Sequence, residues 1–511
     1  MKRFFAILLA MLLVSVSFVA LAEEPTTISA VAVLSSHTDD LETLPYYQEI
    51  AEATNMNIEW EYVRTGWDEK KPLVLASGDL PDVFFGCYAL KVSDITQNID
   101  YFLPLNDLIE ENCPNIKRMF EDVPGLADLV TWPDGNIYAL PHVMPLRPSH
   151  FGAAFINKTW LDNLNLEMPT TIDEFTDVMR HFKNDDPNGN GEADEIPMYA
   201  YVYNNNFGFR TLMGSFGITD SIDSDLAYDN DGNMVYVPAT ENYKNYISWM
   251  HDLYSEGLIY SDFLTMDWSS YMGAMGLGGD CKYGFACGWT PAHISSEYRD
   301  QFVQMLPLIG PDGSQEWASN YLMVACGASG YNVVSLTTFN EYPAETMKWL
   351  DKFYEDEYGM QNYFGPMDLC IEKKDDGTYQ LLEPADPAYD PDSWLWKNGM
   401  GDEGPYYVSQ STQELILPNT WAKTILELDK GYQPYFNPNR AVPAVILEPM
   451  DNDIVSEILT DVERIVTERR AHWVVDGGIE DEWDEYIASL EEVGLQEYLE
   501  IERNAVARVS D

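Results

Sequence analysis

The sequence predicts an α/β protein of two lobes, each built on a mainly parallel sheet flanked by helices. Short apolar strands alternate with amphipathic helices along most of the chain, and this order is typical of parallel sheets. The length of 511 residues is too great for a single hydrophobic core. The apolar fraction of 46% is that of a globular chain. We therefore expect two cores, one in each lobe.

The first residues have the pattern of a secretory signal peptide. Lys2 and Arg3 precede an apolar run, and the small residues Ala20 and Ala22 suit a cleavage site after residue 22. The run is short for a membrane span, and no comparable apolar stretch follows it. The first cysteine is Cys87, so the cleavage site lacks the cysteine of a lipid-anchored precursor. We expect a secreted chain in the periplasm or at the outer cell surface.

The first lobe begins directly after this segment. Residues 27–36 predict a buried strand, and residues 41–56 predict a helix with one apolar face. Apolar and charged residues alternate in residues 57–66, which is typical of a half-buried strand. A helix over 67–79 and a short apolar strand over 82–86 follow. This order predicts parallel strands joined by helices.

A second α/β unit begins near residues 150–166, where a strand runs into a helix. The next helix, over 169–185, carries a capping box of Thr171 and Glu174 and a single apolar stripe. The remaining predicted elements are a helix over 242–259, a strand over 283–289, a helix over 343–359, a loop-rich stretch over 382–407, and helices over 453–466 and from 481 onward.

The net charge of −56 excludes several classes of partner. Nucleic acids and anionic membranes are bound through Lys and Arg, which this chain has in short supply. The same charge attracts cations. The six cysteines contain no C-x-x-C pair and do not form a disulfide framework. Cys281 and Cys287 are candidates for a bridge, with buried free thiols as the alternative.

The stretch DPNGNGEADE, residues 186–195, has the oxygen pattern of a calcium loop. Positions one, three, five and nine of an EF-hand loop correspond to Asp186, Asn188, Asn190 and Asp194. Gly191 stands at the sixth position, where the chain turns. Position twelve is Pro197, so Glu195 must replace the bidentate glutamate that closes an EF-hand. The alternative is a polar turn without metal.

The order of motifs along the chain resembles the extracellular solute-binding proteins of ABC importers. It is most similar to their oligosaccharide-binding branch, which includes lipoproteins of Gram-positive bacteria and calcium-carrying alginate-binding proteins. The matching segments are residues 75–86, 103–120, 133–141, 156–175, 186–197, 347–359 and 483–505. A cysteine at the cleavage site, common in Gram-positive members, is missing here.

This resemblance implies a type II periplasmic-binding-protein fold with a ligand cleft between two lobes that close by a hinge motion. The implied N-terminal lobe comprises residues 23–150 and 325–390, and the C-terminal lobe comprises 151–324 and 391–511. The alginate-binding relatives use a shortened calcium loop, which adds the Glu192 carbonyl to the expected ligands of a structural Ca²⁺. The expected partners are an oligosaccharide and the transmembrane subunits of an ABC permease, with the binding protein itself a monomer.

Sugar clefts combine aromatic faces with a few polar groups. Residues at strand ends and at the expected hinge are therefore candidates for ligand contact, with packing in a core as the alternative for each. The candidates are Arg64, Trp67, Asp82, Tyr138, His142, Tyr203 and Trp289.

Motifs of catalysis are missing from the sequence. It contains no G-x-S-x-G, no phosphate-binding loop and no zinc spacing among its seven histidines. We therefore expect a binding protein and not an enzyme. A secreted carbohydrate-active hydrolase is the main alternative, a calcium-dependent adhesin is a weaker one, and a peptide in place of a sugar stays open.

Overall fold

The computed structural model describes residues 24–146, 148–150, 152–200, 210–219, 225–288, 290–291, 294–318 and 332–510. The predicted signal peptide, Tyr203 and Trp289 lie outside these ranges. Within them, no helix combines the length and apolar character that a membrane span requires.

Strands and helices alternate along most of the described chain, as the sequence predicts. The strands are β1 (Thr26–Val33), β2 (Met56–Val63), β3 (Val83–Phe85), β4 (Ala153–Asn157), β5 (Ile196–Tyr199), β6 (Leu226–Tyr228), β7 (Met234–Tyr236), β8 (Tyr283–Gly288), β9 (Phe302–Met305), β10 (Val334–Leu336), β11 (Ile371–Lys373), β12 (Tyr379–Leu381) and β13 (Ile416–Leu417). The helices are α1 (Pro45–Thr54), α2 (Trp67–Ser77), α3 (Val92–Gln97), α4 (Asn106–Asn112), α5 (Pro114–Asp122), α6 (Leu126–Leu129), α7 (Lys158–Leu164), α8 (Ile172–Asn184), α9 (Glu241–Ser255), α10 (Trp268–Met275), α11 (Pro343–Asp351), α12 (Asp356–Phe364), α13 (Pro391–Asn398), α14 (Gln410–Gln413), α15 (Thr420–Tyr432), α16 (Pro449–Asp476), α17 (Ile479–Glu492) and α18 (Leu495–Ser510).

The first sheet has the strand order β10-β3-β1-β2. β1 pairs in parallel with β2 and with β3, because α1 and α2 return the chain to the same end of the sheet after each strand. β10 pairs with β3 in the antiparallel direction. The carboxyl ends of β1, β2 and β3 therefore lie at one edge.

Local sequence explains α1 and β2. Pro45 occupies the first position of α1, where its missing N–H costs nothing. Asn55 ends the helix with a left-handed φ of 53°. In β2, Ile58, Trp60 and Tyr62 pack against the core on one face of the sheet while charged residues point away.

The second sheet is mixed, with the order β5-β8-β4-β9, and this corrects the expectation of a mainly parallel sheet in the second lobe. β5 and β8 are parallel, whereas β4 runs antiparallel to both β8 and β9. The physical reason is that β4 follows the crossing from the first lobe and so enters the sheet at the edge where β8 ends. Ala153, the first residue of β4, pairs with Gly288, the last residue of β8.

The predicted capping box at the start of α8 is confirmed. The Thr171 side chain accepts a hydrogen bond from the Glu174 amide, and the Glu174 carboxylate accepts one from the Thr171 amide. The apolar stripe of this helix is buried and consists of Ile172, Phe175, Val178, Met179 and Phe182. The loop of residues 186–195 thus begins where a firmly anchored helix ends.

Buried side chains separate into a first-lobe core, a further first-lobe cluster on the other face of the first sheet, a second-lobe core and a smaller cluster around the sheet β11-β12-β13. Met400 and Tyr407 pack in the first core, beyond the predicted lobe boundary at residues 390/391. Core membership thus favours a later return to the second lobe, although the boundaries stay a prediction. Cys281 and Cys287 are buried free thiols, as the alternative to a bridge between them expects.

The chain connects the two lobes three times, and described residues at the ends of these connections contact one another. At the first-lobe end, the Leu140 amide donates to the Val334 carbonyl at 2.9 Å, and the Val143 amide donates to the Tyr406 carbonyl at 3.2 Å. At the second-lobe end, the Trp317 indole stacks on the Tyr432 ring with centroids 4.3 Å apart. The Trp317 N–H also donates to the Gly152 carbonyl at 3.1 Å. We call residues 140–146, 148–150, 152, 317–318, 332–334 and 404–432 the crossing region.

The buried carboxylate of Asp429, in α15, joins two of these crossings. Its Oδ1 accepts hydrogen bonds from the backbone amides of Ser149 at 2.7 Å and His150 at 2.9 Å, and lies 3.2 Å from the His150 imidazole. Its Oδ2 accepts from the Gln433 side chain at 2.8 Å. Burial favours a higher pKa for Asp429, but the hydrogen bonds from His150 and Gln433 lower the pKa on balance. The carboxylate is therefore ionised and fixes the first crossing to α15.

We expect Asp429→Ala to lower the free energy of unfolding by roughly 1–3 kcal/mol, because it leaves buried amide donors without an acceptor. Urea denaturation of both variants measures the effect, with Glu427→Ala, an exposed carboxylate on the same helix, as the matched control. Equal stability of the two variants would contradict this role for Asp429.

Candidate functional site

Strand directions place the functional edges of both sheets beside the crossing region. Val334, the first residue of β10, pairs with Phe85, the last residue of β3. β4 likewise begins at the edge where β8 ends. In each lobe the crossing chain thus joins the sheet at the edge where its parallel strands end. Ligands of open α/β sheets bind at such carboxyl edges.

We call residues 34–40, 64–66 and 86–88, which follow β1, β2 and β3, the first edge. The second edge consists of Ala200, Gly288 and Leu306. Ala200 follows β5, Gly288 is the last residue of β8, and Leu306 follows β9. A solute held between the lobes would contact both edges. Tyr203 and Trp289 follow β5 and β8 directly, but both lie outside the described residues.

Arg64 holds segments of the first edge together through hydrogen bonds and an ion pair. Its guanidinium donates to the backbone carbonyls of Ser35 at 2.8 Å and Thr38 at 2.6 Å, and it pairs with the Asp40 carboxylate at 2.7 Å. These bonds hold the segment after β1 against the end of β2. Contact between Arg64 and a ligand stays a prediction.

Glu403 is a buried carboxyl group that ties two parts of the first edge together. Its Oε2 accepts a hydrogen bond from the Ser35 amide at 3.1 Å, and its backbone carbonyl accepts one from the Cys87 amide at 2.9 Å. The side chain is 2% exposed. Burial raises the pKa of Glu403 to about 8, with Asp402 adding to the rise while the Ser35 amide and Arg64 oppose it. At neutral pH the group is therefore mainly protonated.

Trp67 and Tyr138 lie in the first lobe beneath its surface. Trp67 is 5% exposed and its indole N–H donates to the Ala89 carbonyl at 2.6 Å. The Tyr138 hydroxyl donates to the Asp134 carboxylate at 2.7 Å, and its ring packs edge-on against Trp132. These contacts give both residues packing roles, and ligand contact by either ring stays a prediction.

The structure places Asp82 away from Arg64 and buries His142. Asp82 precedes β3, at the end opposite to the first edge, and accepts hydrogen bonds from the amide and hydroxyl of Ser29 at 2.7 and 2.9 Å. His142 is buried in the crossing region, where its ring stacks on Tyr406 and its Nδ1 lies 2.8 Å from the Gly404 carbonyl. Ligand contact by these two residues also stays a prediction.

Tyr88 is a residue of the first edge that sequence reasoning missed. It is 47% exposed, whereas most large aromatic side chains in this lobe are buried. The signal was available, because Tyr88 stands two residues after the predicted strand over 82–86. The neighbouring edge residues Ser36, His37 and Thr65 are also exposed. The first edge thus offers one aromatic face beside several hydrogen-bonding groups.

The loop of residues 186–195 folds around its own side-chain oxygens. Asp186 accepts hydrogen bonds from the amides of Asn190 at 3.1 Å and Gly191 at 3.0 Å. The Asn188 side chain also accepts from the Asn190 amide at 3.0 Å, and the Asn190 side chain accepts from the Glu192 amide at 2.7 Å. Gly191 turns the chain with a φ of 78°. The side-chain oxygens of Asp186, Asn188 and Asn190 therefore face the backbone of the loop interior.

One buried oxygen of this loop has no hydrogen-bond partner in the part of the chain that the structure describes. Glu195 Oε1 is inaccessible to solvent and accepts no hydrogen bond among the described residues. Its pKa is raised by burial and by the neighbouring charges of Asp194 and Asp186. An unmet oxygen within a set of hard oxygen donors fits Ca²⁺.

The same loop does not gather its acidic side chains into one group. Asp194 instead pairs with Lys282 at 2.7 Å. In the described part of the chain, no three His, Cys, Asp or Glu side chains converge as a metal site. The loop is therefore compatible with calcium, and the ligand set of Asp186, Asn188, Asn190, the Glu192 carbonyl, Asp194 and Glu195 stays a prediction.

Sequence comparison relates this chain to bacterial proteins of known function. The family model described as bacterial extracellular solute-binding protein matches residues 35–275. The fructooligosaccharide ABC transporter substrate-binding protein FusA of Streptococcus pneumoniae is 32% identical over 476 residues, which are 89% of this chain and 85% of that protein. This similarity spans both lobes.

Solved structures show the same fold over nearly the whole chain. FusA in complex with kestose and an EF-hand mutant of FusA in complex with fructo-nystose each superimpose with a TM-score of 0.83 at 29% identity, covering 95% of this chain and 99% of theirs. An HMO-binding, ABC-transporter-associated solute-binding protein of Bifidobacterium longum infantis has a TM-score of 0.83 at 25% identity, covering 94% of this chain and 98% of its own.

We expect Glu403→Gln to flatten part of the pH dependence of stability. Folding raises the pKa of Glu403 from 4.5 to about 8. The stability that this group contributes is therefore complete below about pH 4.5 and is lost as the pH rises through 8. Over this interval the free energy of unfolding falls by up to about 1.4 kcal/mol per pH unit. Melting temperatures of the wild type and the variant between pH 5 and 9 test this, with the exposed Glu414→Gln as control. Parallel curves for wild type and Glu403→Gln would count against it.

Proposed function

Because this chain belongs to the bacterial extracellular solute-binding proteins that serve ABC transporters, we propose that it captures an oligosaccharide between its lobes and delivers it to a membrane permease. The main support for this proposal is the 32% identity to FusA over 89% of the chain. The predicted two-lobed type II periplasmic-binding-protein fold is confirmed by the structural neighbours. The predicted role in solute capture for an ABC transporter is confirmed with it.

The proposal of an oligosaccharide rests on the relatives and on the chemistry of the first edge. FusA was solved with kestose, and a second structural neighbour is described as HMO-binding. Sugars present apolar ring faces and a rim of hydroxyl groups, which suit an aromatic face beside polar groups. The exposed ring of Tyr88 and the hydroxyls of Ser36 and Thr65 supply this combination.

The residues proposed for ligand contact come from both lobes. Arg64 and Tyr88 represent the first edge, and Tyr203 and Trp289 follow the strands that lead into the second edge. A ligand bound to both edges favours the closed arrangement, because it contacts both lobes only when they approach each other.

Release of the ligand intact distinguishes this proposal from a secreted hydrolase. Glycoside hydrolysis needs two carboxyl groups at a set separation across the scissile bond. The two carboxylates of the first edge, Asp39 and Asp40, pair with Lys397 and Arg64, and the adjoining carboxyl group of Glu403 is buried. These groups already have structural partners or are buried, which favours binding without cleavage.

The site of action proposed for the chain lies outside the cytoplasm. The signal-like residues 1–22 and the extracellular family support this location. A monomer that docks on the transmembrane subunits of an ABC permease completes the proposed transport role.

We further propose that residues 186–195 hold a structural Ca²⁺. The observations behind this are the inward-facing oxygens of the loop, the unmet oxygen of Glu195, and the description of one FusA variant as an EF-hand mutant. The ion would fix the connection between α8 and β5, far from any chemistry on the ligand.

We expect oligosaccharides to raise the melting temperature of the wild-type protein, since a ligand that binds only the folded state stabilises it. Thermal-shift measurements with fructooligosaccharides, human-milk-type oligosaccharides and short peptides test the ligand class. Chromatography of the same mixtures should recover the sugars intact. A shift with peptides alone would contradict the sugar proposal, and cleaved sugars would contradict the binding role.

Tyr88→Ala should weaken binding of the best oligosaccharide roughly tenfold, because a sugar ring loses one stacking face. Isothermal titration calorimetry measures the dissociation constant of each variant. Tyr342→Ala is the matched control, since Tyr342 is a similarly exposed tyrosine (44%) of the first lobe away from the first edge. Unchanged affinity in Tyr88→Ala would remove this residue from the site.

Calcium should raise the melting temperature of the wild type, and a chelator should lower it. Glu195→Gln should lose most of this response, yet be the more stable protein in chelator at neutral pH. The sign follows from the raised pKa of Glu195, because a carboxyl group that resists ionisation in the folded state costs stability as the pH rises. Glu192→Gln is the control, since Glu192 is expected to contribute only its carbonyl. A wild type that ignores chelator contradicts the calcium site.

A further inference from the structure

We propose that Lys282 is a built-in cation for the loop of residues 186–195, holding Asp194 when calcium is absent and leaving it when calcium binds. The proposal rests on the calcium site proposed above. Its first observation is the ion pair of the Lys282 ammonium with Asp194 Oδ2 at 2.7 Å. Among the described residues, no other carboxylate of the loop forms an ion pair.

The backbone around Lys282 places its side chain beside the loop of residues 186–195. The Lys282 carbonyl accepts a hydrogen bond from the Ile196 amide at 2.7 Å, immediately after the end of the loop. The Asn188 side chain donates to the neighbouring Cys281 carbonyl at 3.4 Å. Both ends of the loop are thus tied to the segment that carries Lys282 into β8. These two hydrogen bonds therefore keep the base of the Lys282 side chain close to the acidic residues of the loop.

The pair is arranged so that it can be exchanged. The Lys282 side chain is 50% exposed, so water can solvate the ammonium as soon as it leaves Asp194. Solvated ion pairs are weak, because high-dielectric water screens the attraction. A divalent ion coordinated by several oxygens binds the same carboxylate more strongly. Lys282 therefore holds the loop without blocking it permanently.

Lys282 meets only part of the negative charge of the loop. The ammonium pairs with Asp194 Oδ2. Among the described residues, the buried Oε1 of the next residue, Glu195, has no hydrogen-bond partner. One tethered positive charge thus leaves a buried oxygen unsatisfied. A divalent ion would satisfy both carboxylates, and its binding must displace the ammonium from Asp194.

The test compares calcium binding by the full chain carrying Lys282→Met with the wild type, using isothermal titration calorimetry in calcium-free buffer. Methionine keeps the length of the side chain and removes the charge. We expect the variant to bind Ca²⁺ roughly two- to tenfold more tightly, as loss of a competing exposed cation predicts. Lys282→Arg should restore the wild-type affinity. Lys373→Met, which removes an equally exposed lysine paired with Glu357, should change nothing.

Melting temperatures separate this role from that of an ordinary ion pair. In chelator, Lys282→Met should melt below the wild type, and in saturating calcium the two should coincide. Equal losses with and without calcium, or unchanged or weaker calcium binding in Lys282→Met, would overturn the proposal while leaving the calcium site of the wild type intact. Absence of calcium binding in both proteins would refute both proposals. Binding by Lys282→Met alone would overturn the proposal, because the ammonium would then block the native loop instead of leaving Asp194 when calcium arrives.

Discussion

The fold depends on how the backbone of the crossing region satisfies its hydrogen bonds. A chain that passes between two lobes has no sheet of its own to bond with, and unpaired amides there are costly once buried. The crossings solve this by bonding to one another. Val143 bonds to Tyr406, Ser149 and His150 bond to the carboxylate of Asp429, and Trp317 bonds to Gly152. The lobes are therefore joined by a bundle of mutually bonded segments and not by single flexible linkers.

This bundle also decides where a ligand can sit. The crossing segments enter β10 and β4 at the edges where the parallel strands of each sheet end. Both edges are thus brought to the same side of the molecule, beside the hinge. The antiparallel direction of β4 is a consequence of that entry. Solute capture depends on this placement of the two edges, which the periodic pattern of the sequence does not encode.

The strongly negative charge is handled by different means at different places. Asp429 stays ionised because amides and a side-chain amide surround it, and Glu403 is held mainly neutral because burial disfavours its charge. Asp194 takes a lysine as its partner, while Glu195 has none in the described structure. The loop of residues 186–195 therefore keeps negative charge that a bound cation would neutralise.

The sequence by itself determined the features that depend on near neighbours along the chain. Strand and helix periodicity, the capping box of Thr171 and Glu174, and the oxygen pattern of residues 186–195 are local signals, and the family followed from their order. Only the tertiary structure decided the mixed second sheet, the cluster around β11-β12-β13, the burial of Trp67 and the exposure of Tyr88. It also decided the partners of Glu403 and Lys282. Ser35 and Glu403 are 368 positions apart, and no local pattern encodes a contact of that range, because which side chain meets which depends on the packing of all the elements between them.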